Sequence, residues 1–298
     1  MPLILPSNTI SAAGFNVDNS VRFEANNTSK LTRTNSGTST NNKKGTFSGW
    51  WKLQIDGSTG HGLYNCTPGD ASERFLFSLS SNGTISGGYR NASRTVDIDW
   101  TTGTGNALFR DTAAWYHIVI NYDTSDGTGS NRVKVFVNNV QHALSFSPSD
   151  VPQDTIFPQN KNGEVIEIGH KEDTNDGYGN AARGYLSEMI FVDGQQLAPT
   201  EFGEYDADTG IWVPKQDLAT DLTFGTFGFY YEFKDSGTLG TDSSGNSNTG
   251  GVSNLSQTTD TPTNNYCTLN PLDNYYASST FSEGNLKIST GGSNTTYN

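Results

Sequence analysis

One local pattern recurs along the sequence: a short segment of alternating apolar and polar residues, followed by a turn rich in Gly, Asn, Asp and Ser. In one example, the apolar residues Val96, Ile98 and Trp100 alternate with two aspartates. Successive side chains of a β-strand point to opposite faces, so such a strand has one apolar and one solvated face. Many short strands separated by turns are typical of a sandwich or a barrel. The pattern therefore predicts an all-β fold.

The strongest hairpin signal lies in the middle of the chain. A strand over Trp115 to Tyr122 ends in an Asp/Gly/Ser loop, and a second strand follows over Arg132 to Val137. Asn138-Asn139 then predicts a tight turn into a third strand, because Asn tolerates the positive φ of a two-residue hairpin turn. Further strands are predicted at residues 21–23, 47–53, 75–79, 165–168, 185–192 and 224–233, with one helical turn at residues 199–202.

Charge and hydropathy exclude several classes of partner. The chain has 31 acidic and 18 basic residues, a formal net charge of −13, and no cluster of Lys and Arg. Phosphate backbones and anionic lipids repel such a chain, so neither nucleic acid nor a membrane surface is an expected partner. No stretch approaches the roughly 18 consecutive apolar residues of a membrane helix, and the first residues lack the basic region of a secretion signal.

A composition shift after Pro214 suggests how the chain is organised. We predict a sandwich over residues 1–215 and, over residues 216–298, a closing strand (about 227–234) followed by a Ser/Gly/Asn-rich C-terminal extension. This extension has too few apolar positions to form a core of its own. We expect it to lie across the sandwich or to serve as a connector.

Six short motifs, taken in order, carry a resemblance to a known superfamily. The order resembles the concanavalin A-like lectin/glucanase superfamily, in its laminin-G/pentraxin-like branch, over roughly residues 15–215. The resemblance implies an antiparallel jelly-roll β-sandwich. The motifs are SVRF at 20–23, FSGWWK at 47–52, WYHIV at 115–119, VFVNN at 135–139, IG at 168–169 and GYLSEMIF at 184–191.

A narrower resemblance concerns residues 184–215 and 228–287. Both look like blocks that are frequent in large structural proteins of tailed bacteriophages, notably marine ones. The second block contains DSSGN at 242–246 and TPTNNY at 261–266. In that family the block often leads into a SPRY-type sandwich, so this chain is either a short member or one part of a longer protein. The resemblance implies synthesis in the host cytoplasm, a place in the virion, and partners among other virion proteins and further copies of this chain.

The function implied is a surface-exposed virion component, of tail-fibre or appendage type, with a lectin-like module for adhesion to host or environmental glycans. Two alternatives stay open at this point. One is a capsid-decorating or fibre protein that contacts only other virion subunits. The other is a polysaccharide depolymerase.

The order of elements departs from that of ordinary laminin-G-like modules. Those modules commonly open with a strand and a DSSGN-type turn, whereas here Tyr230 to Asn246 follow the sandwich. We hypothesise a circular permutation in which residues 229–233 pair beside the first strand and close the sheet.

Catalytic carboxylates are the first chemistry to look for, because the superfamily includes glucanases. Laminarinase-type members use two Glu flanking an Asp on one strand. Asp97-Ile98-Asp99 is the segment most similar to that motif, but no Glu flanks it. Glu164 and Glu167 would point to opposite faces of a strand and so would not form a catalytic pair. A catalytic triad that used His117 would need a nucleophilic serine on a strained turn, and the sequence contains no G-x-S-x-G motif of that kind. We therefore expect no enzymatic activity, and a structural role for His117.

No cofactor is expected, although calcium stays open. None of the four histidines has a partner at the short spacing of a zinc site. Asp123 to Asp126, Asp173 to Asp176 and Asp242 to Asn246 offer oxygen ligands of the kind calcium prefers, but tight turns favour the same residues.

Sugar binding would use exposed aromatic rings next to amide and carboxyl groups. Tyr178, Tyr89 and Trp212 lie among turn residues in the sequence and are the predicted ligand-binding positions. Trp50, which points away from Trp51 on its strand, is a further candidate. Exposed aromatic residues of a virion protein would equally suit contacts with a neighbouring subunit.

Overall fold

The computed structural model describes residues 15–23, 28–54, 60–67, 73–103, 109, 111–173, 178–269, 279–282 and 284–290. Its helical elements are the short helix α1 (Leu218–Asp221) and 3-10 turns at Gly129–Asn131, Pro158–Asn160 and Pro199–Glu201. No helix in this part of the chain is long and apolar enough to cross a membrane. Its strands are β1 Ser20–Phe23, β2 Lys30–Thr34, β3 Lys44–Leu53, β4 His61–Cys66, β5 Arg74–Leu79, β6 Ile85–Arg90, β7 Asp97–Thr101, β8 Tyr116–Asp123, β9 Val133–Val137, β10 Val140–His142, β11 Ser145–Ser147, β12 Val165–Ile168, β13 His170–Asp173, β14 Tyr178–Ala181, β15 Gly184–Asp193, β16 Gly203–Tyr205, β17 Trp212–Pro214, β18 Phe229–Tyr231, β19 Gly251–Ser253, β20 Leu255–Thr258, β21 Ser279–Ser282 and β22 Lys287–Thr290.

Most of these strands form two large antiparallel sheets. The first sheet has the order β10-β9-β8-β3-β15-β1-β20, and β18 also pairs with β15. The second has the order β11-β7-β6-β5-β4-β12-β2-β19. The sheets enclose one aromatic-rich core, in which Phe75 stacks near Phe157 and Phe23 lies against Trp51. The chain is therefore an all-β antiparallel jelly-roll sandwich, as predicted, with a Ser/Gly/Asn-rich C-terminal extension.

The strand pattern that predicted the fold is confirmed in detail. In β7, Ile98 and Trp100 are buried while the two aspartates beside them are exposed. The β8–β9–β10 meander is also present, with Asn138 and Asn139 at φ of 46° and 67° in the turn between β9 and β10. Positive φ at both central residues is what a two-residue hairpin turn requires.

The C-terminal part of the chain contributes strands to both sheets. β20 pairs with β1 at the edge of the first sheet, and β19 pairs with β2 at the edge of the second. We predicted that the C-terminal extension lies across the sandwich or serves as a connector. Its first part instead supplies strands to the sandwich itself.

The predicted closing strand is shorter than expected and has a different partner. Positive φ at Gly225 (72°) and at Phe233 (60°) limits β18 to three residues. β18 pairs with residues 189–191 of β15, beyond a bulge, while β1 pairs with residues 184–186 of the same strand. β18 therefore lies end to end with β1 along β15, which corrects the hypothesis of pairing beside the first strand.

The chain itself covers much of the outer face of the first sheet. An apolar layer from residues 197–224 packs onto the outward side chains of β8, β9, β15 and β18. A second group, here called the aromatic cluster, lies on the same sheet and consists of Trp50, Trp115, Tyr185 and Trp212.

Glu188 is a buried carboxyl group at the bulge of β15. It adopts a φ of 50°, and its carboxyl accepts a hydrogen bond from the Tyr230 hydroxyl. Desolvation by burial raises the pKa of Glu188 from 4.5 to about 8. The folded chain therefore retains a proton at neutral pH that the unfolded chain releases.

This difference in pKa predicts that stability depends on pH. We expect the free energy of unfolding to fall by on the order of 4 kcal/mol as the pH rises from about 4.5 to about 8. The stabilisation by the protonated carboxyl is complete below the pKa of the unfolded chain and is lost as the pH passes the pKa of the folded chain. Glu188→Gln should remove this part of the slope. Urea unfolding of both chains at several pH values measures it, and parallel curves for the two would contradict the assignment.

Candidate functional site

The outer face of the second sheet carries a groove of about 670 Å³. Along β5, Phe75, Phe77 and Leu79 point into the core, so Arg74, Leu76 and Ser78 point outward. The outward residues of β6, β7 and β11 continue this surface to the edge of the sheet: Ser86, Asp99, Thr101, Ser145 and Ser147.

Charged side chains form one end of this groove. Arg74 Nη2 donates hydrogen bonds to Asp97 Oδ1 at 3.1 Å and to Asp99 Oδ1 at 3.3 Å. The side chain of Arg74 is 10% exposed, whereas those of Asp97 and Asp99 are 48% and 74% exposed. Arg90 lies beside them, with Nη1 3.9 Å from Asp97 Oδ2. This end thus combines fixed guanidinium groups with carboxylates that retain free acceptor positions toward solvent.

Hydroxyl groups line the groove next to this charged end. Ser86 Oγ lies 3.2 Å from Ser78 Oγ and 2.8 Å from Ser80 Oγ. Thr101 stands opposite Ser86 in the β6–β7 pair and opposite Ser145 in the β7–β11 pair. Hydroxyls both donate and accept, so this surface offers both kinds of hydrogen bond within a short distance.

Gly88 keeps the outward face of β6 flat, and its neighbour Gly87 leaves room on the core side. A Cβ at Gly88 would lie 2.8 Å from the main-chain oxygen of Ile98, and one at Gly87 would lie 2.1 Å from that of Leu76. The indole of Trp100 packs from the core side against Gly87. Larger residues at these positions would force the strands apart, so the bottom of the groove has no projecting side chains between Leu76 and Asp99.

The geometry suits hydrogen bonding to a polar molecule better than catalysis. Asp97 and Asp99 both accept hydrogen bonds from Arg74 Nη2. A guanidinium group therefore occupies the space between these two carboxylates, which in a glycosidase pair is open to the substrate. Within the described ranges, no group of three or more His, Cys, Asp or Glu side chains is arranged to hold a metal ion.

The four aromatic residues selected from the sequence do not meet in one site. Tyr89 lies in β6, not among turn residues, and its ring is buried against Phe157 in the core. Trp50 and Trp212 are buried in the aromatic cluster, so the expectation that they sit in turns or on the surface was wrong. Tyr178 begins β14, and its side chain lies outside the described residues. Ligand binding at Tyr178, Tyr89 and Trp212 stays a prediction.

His117 has the structural role expected of it. Its ring is stacked between Trp50 and Trp212, at centroid distances of 4.7 and 6.0 Å. Trp212 Nε1 donates to Nδ1 at 3.0 Å, so Nε2 carries the ring proton and donates to Ser48 Oγ at 2.8 Å. Burial lowers the pKa of His117 to about 3. The Ser48–His117 pair therefore has no free ring nitrogen to act as a base on the serine.

In the described loops that were proposed to bind calcium, the carboxylates accept hydrogen bonds that stabilise the turns. Asp123 accepts hydrogen bonds from Ser125 and pairs with Lys44 at 2.8 Å. Asp242 accepts from the main-chain nitrogens of Tyr230 and Asn248. The loop at residues 173–176 lies outside the described residues, apart from the main chain of residue 173. Calcium binding stays a prediction.

The sequence did contain a weak signal for the groove that our prediction did not use. Ser86-Gly87-Gly88 lies in the middle of a strand, where glycine is unfavourable unless another backbone or a ligand approaches closely. Arg74, Leu76 and Ser78 alternate with the apolar residues that identified β5 and so belong to its outward face. Which outward face stays uncovered, however, depends on distant parts of the chain.

Comparison with known proteins finds solved structures of similar fold. No protein-family model matches the chain, and no curated protein sequence does. A proposed carbohydrate-binding protein from Bacteroides ovatus is similar in structure, with a TM-score of 0.50 and 13% identity over 82% of this chain and 60% of that one. A heptameric pentraxin from Limulus polyphemus has a TM-score of 0.42 and 18% identity over 61% of this chain and 78% of that one. The LG4-5 domains of mouse laminin α1 have a TM-score of 0.37 and 13% identity over 62% and 44%. These likenesses concern the fold.

Proposed function

We propose that the chain is a non-enzymatic glycan-binding module and a surface-exposed structural component of a tailed-phage virion. The groove on the second sheet carries the glycan-binding part of this proposal. Its hydroxyls, arginine and exposed carboxylates match the many hydrogen-bonding groups of a sugar ring, and Gly88 gives a ring room to lie close to the strands. The description of the Bacteroides ovatus protein as carbohydrate-binding supports the same assignment.

The virion part of the proposal rests on the resemblance of residues 184–215 and 228–287 to phage structural proteins. A virion carries many copies of each surface protein, so weak sites act together on one host surface. We propose other virion proteins and further copies of this chain as its partners, and host or environmental glycans as its ligands. A low affinity per groove would suffice for adhesion.

Filling the groove tests the glycan-binding site. Ser145 is exposed on the edge strand β11 and lines the groove, so the indole of a Ser145→Trp variant would occupy space that a sugar needs. We expect at least about tenfold weaker binding on an array of bacterial surface polysaccharides, equal to about 1.4 kcal/mol. The matched control is Ser149→Trp, four residues further along and outside the groove. Equal binding by both variants would contradict the site.

The location of the chain on the particle separates adhesion from decoration. Imaging of the intact particle should find the chain at the tail or on a fibre, with the groove facing outward. Density on the capsid shell, with the groove against coat subunits, would instead favour a decorating protein that contacts only virion subunits.

A further inference from the structure

A buried lysine of the first sheet meets three groups of the C-terminal segment. Lys52, on β3, is 1% exposed, and its Nζ donates to Asp260 Oδ2 at 2.8 Å. The same Nζ donates to the side-chain oxygen of Asn265 at 2.7 Å and to the main-chain oxygen of Tyr266 at 2.5 Å. An amine, a carboxylate and a carboxamide thus share one site, although Lys52 and Asn265 are 213 residues apart in sequence.

The surroundings fix the carboxylate and the carboxamide in orientation. Asp260 Oδ1 accepts hydrogen bonds from Trp115 Nε1 at 3.1 Å and from the main-chain nitrogen of Tyr266 at 3.3 Å, which leaves Oδ2 facing the amine. Asn265 Nδ2 donates to the main-chain oxygen of Ala113 at 2.8 Å. The amide therefore presents its carbonyl side to Lys52 and its nitrogen to the opposite side.

We propose that Lys52 and Asn265 form an intramolecular isopeptide bond, with Asp260 as the proton carrier. A buried ion pair requires only the lysine and the aspartate. Here a third group, the side-chain carbonyl of Asn265, is held against the amine, and its carbon is an electrophile. A desolvated lysine amine beside a proton acceptor is a nucleophile, and the site is lined by Trp115, Tyr185 and Tyr266.

The reaction balances without an added reactant. Asp260 takes a proton from the Lys52 ammonium, and the neutral Nζ attacks the side-chain carbonyl carbon of Asn265. The Nζ–C bond forms and the C–Nδ2 bond breaks. Asp260 returns its proton to Nδ2, which leaves as ammonia. Asp260 then takes the second proton of Nζ and passes it to the departing ammonia, so that the net products are the secondary amide and an ammonium ion. Asn265 is exposed, so the ammonia can escape to solvent. The product is a secondary amide that joins β3 covalently to the segment after β20.

Denaturing mass spectrometry of the full chain tests the bond. We expect a mass below that of the sequence by one ammonia, about 17 Da, once the folded protein has been incubated. Trypsin should then yield a branched peptide that joins residues 45–74, uncleaved at Lys52, to residues 235–287. A wild-type mass equal to the sequence mass would overturn the proposal.

Three variants make the assignment specific. Lys52→Arg keeps a positive charge beside Asp260 but has no nucleophilic amine, Asn265→Ala has no carboxamide, and Asp260→Asn cannot carry the proton. Each should retain its full sequence mass. Loss of ammonia in Asn265→Ala as well would also overturn the proposal, since it would place the reaction at another asparagine, such as Asn82 or Asn162, each of which precedes glycine.

Discussion

A chain that ends at Pro214 should fail to fold. It would lack β18, β19 and β20, which belong to the two main sheets. It would also lack Phe227, Phe229, Tyr231 and Phe233, all buried in the main core. Each such side chain contributes about 1.5–3 kcal/mol of burial, so the four together approach the roughly 5–15 kcal/mol that separates folded from unfolded domains.

Circular dichroism and thermal melting measure this effect, with a second truncation as control. A chain that ends at Leu269 keeps β18, β19, β20 and Asp260. Among the described residues it loses the β21–β22 hairpin and its hydrogen bonds with Gln54 and Tyr185. We expect it to melt cooperatively near the full-length chain. If the chain ending at Pro214 melted at the full-length temperature, the C-terminal strands would have no part in the stability of the sandwich.

Removal of the Asp260 carboxylate should be the most destabilising single change at the C-terminal segment. The side chains of Lys52 and Asp260 are 1% and 2% exposed, and Asp260→Ala leaves the lysine buried beside an empty space. Breaking one partner of a buried pair costs about 3–5 kcal/mol. Replacing both charges, as in Lys52→Met with Asp260→Leu, should recover most of that loss, because neither residue then needs a partner.

The exposed pair of Lys43 and Asp154 is the matched control. Its N–O distance is 2.7 Å, similar to that of the buried pair, but its side chains are 37% and 57% exposed. Asp154→Ala should therefore cost less than about 1 kcal/mol. Urea unfolding of the four chains, each also carrying Asn265→Ala so that no Lys52–Asn265 bond can form, gives the comparison. A loss below about 1 kcal/mol for Asp260→Ala would mean that water reaches Lys52.

Local rules were sufficient to predict the strands. β7 followed from the alternation of Ile98 and Trp100 with polar neighbours, and the β9–β10 turn followed from Asn138-Asn139. These signals depend on residues within a few positions of one another, and each has one physical cause. The fold class followed from their number and spacing.

The candidate site could not be predicted in the same way, because long-range packing decides which surfaces are covered. The alternation in β3 correctly placed Trp50 opposite Trp51, but nothing near Trp50 indicated that β17 would cover it through Trp212. The groove lies where none of the described segments packs in this way. The pairing of Lys52 with Asp260, 208 residues away, likewise has no local signal.

For the virion role proposed above, adsorption of phage particles that carry the Ser145→Trp variant tests the central claim most directly. We expect these particles to assemble in normal number, with the chain in place, and to adsorb to host cells at least about tenfold more slowly than wild-type particles, while Ser149→Trp particles adsorb normally. Adsorption at the wild-type rate by Ser145→Trp particles, or loss of the chain from those particles, would contradict a role of the groove in adhesion.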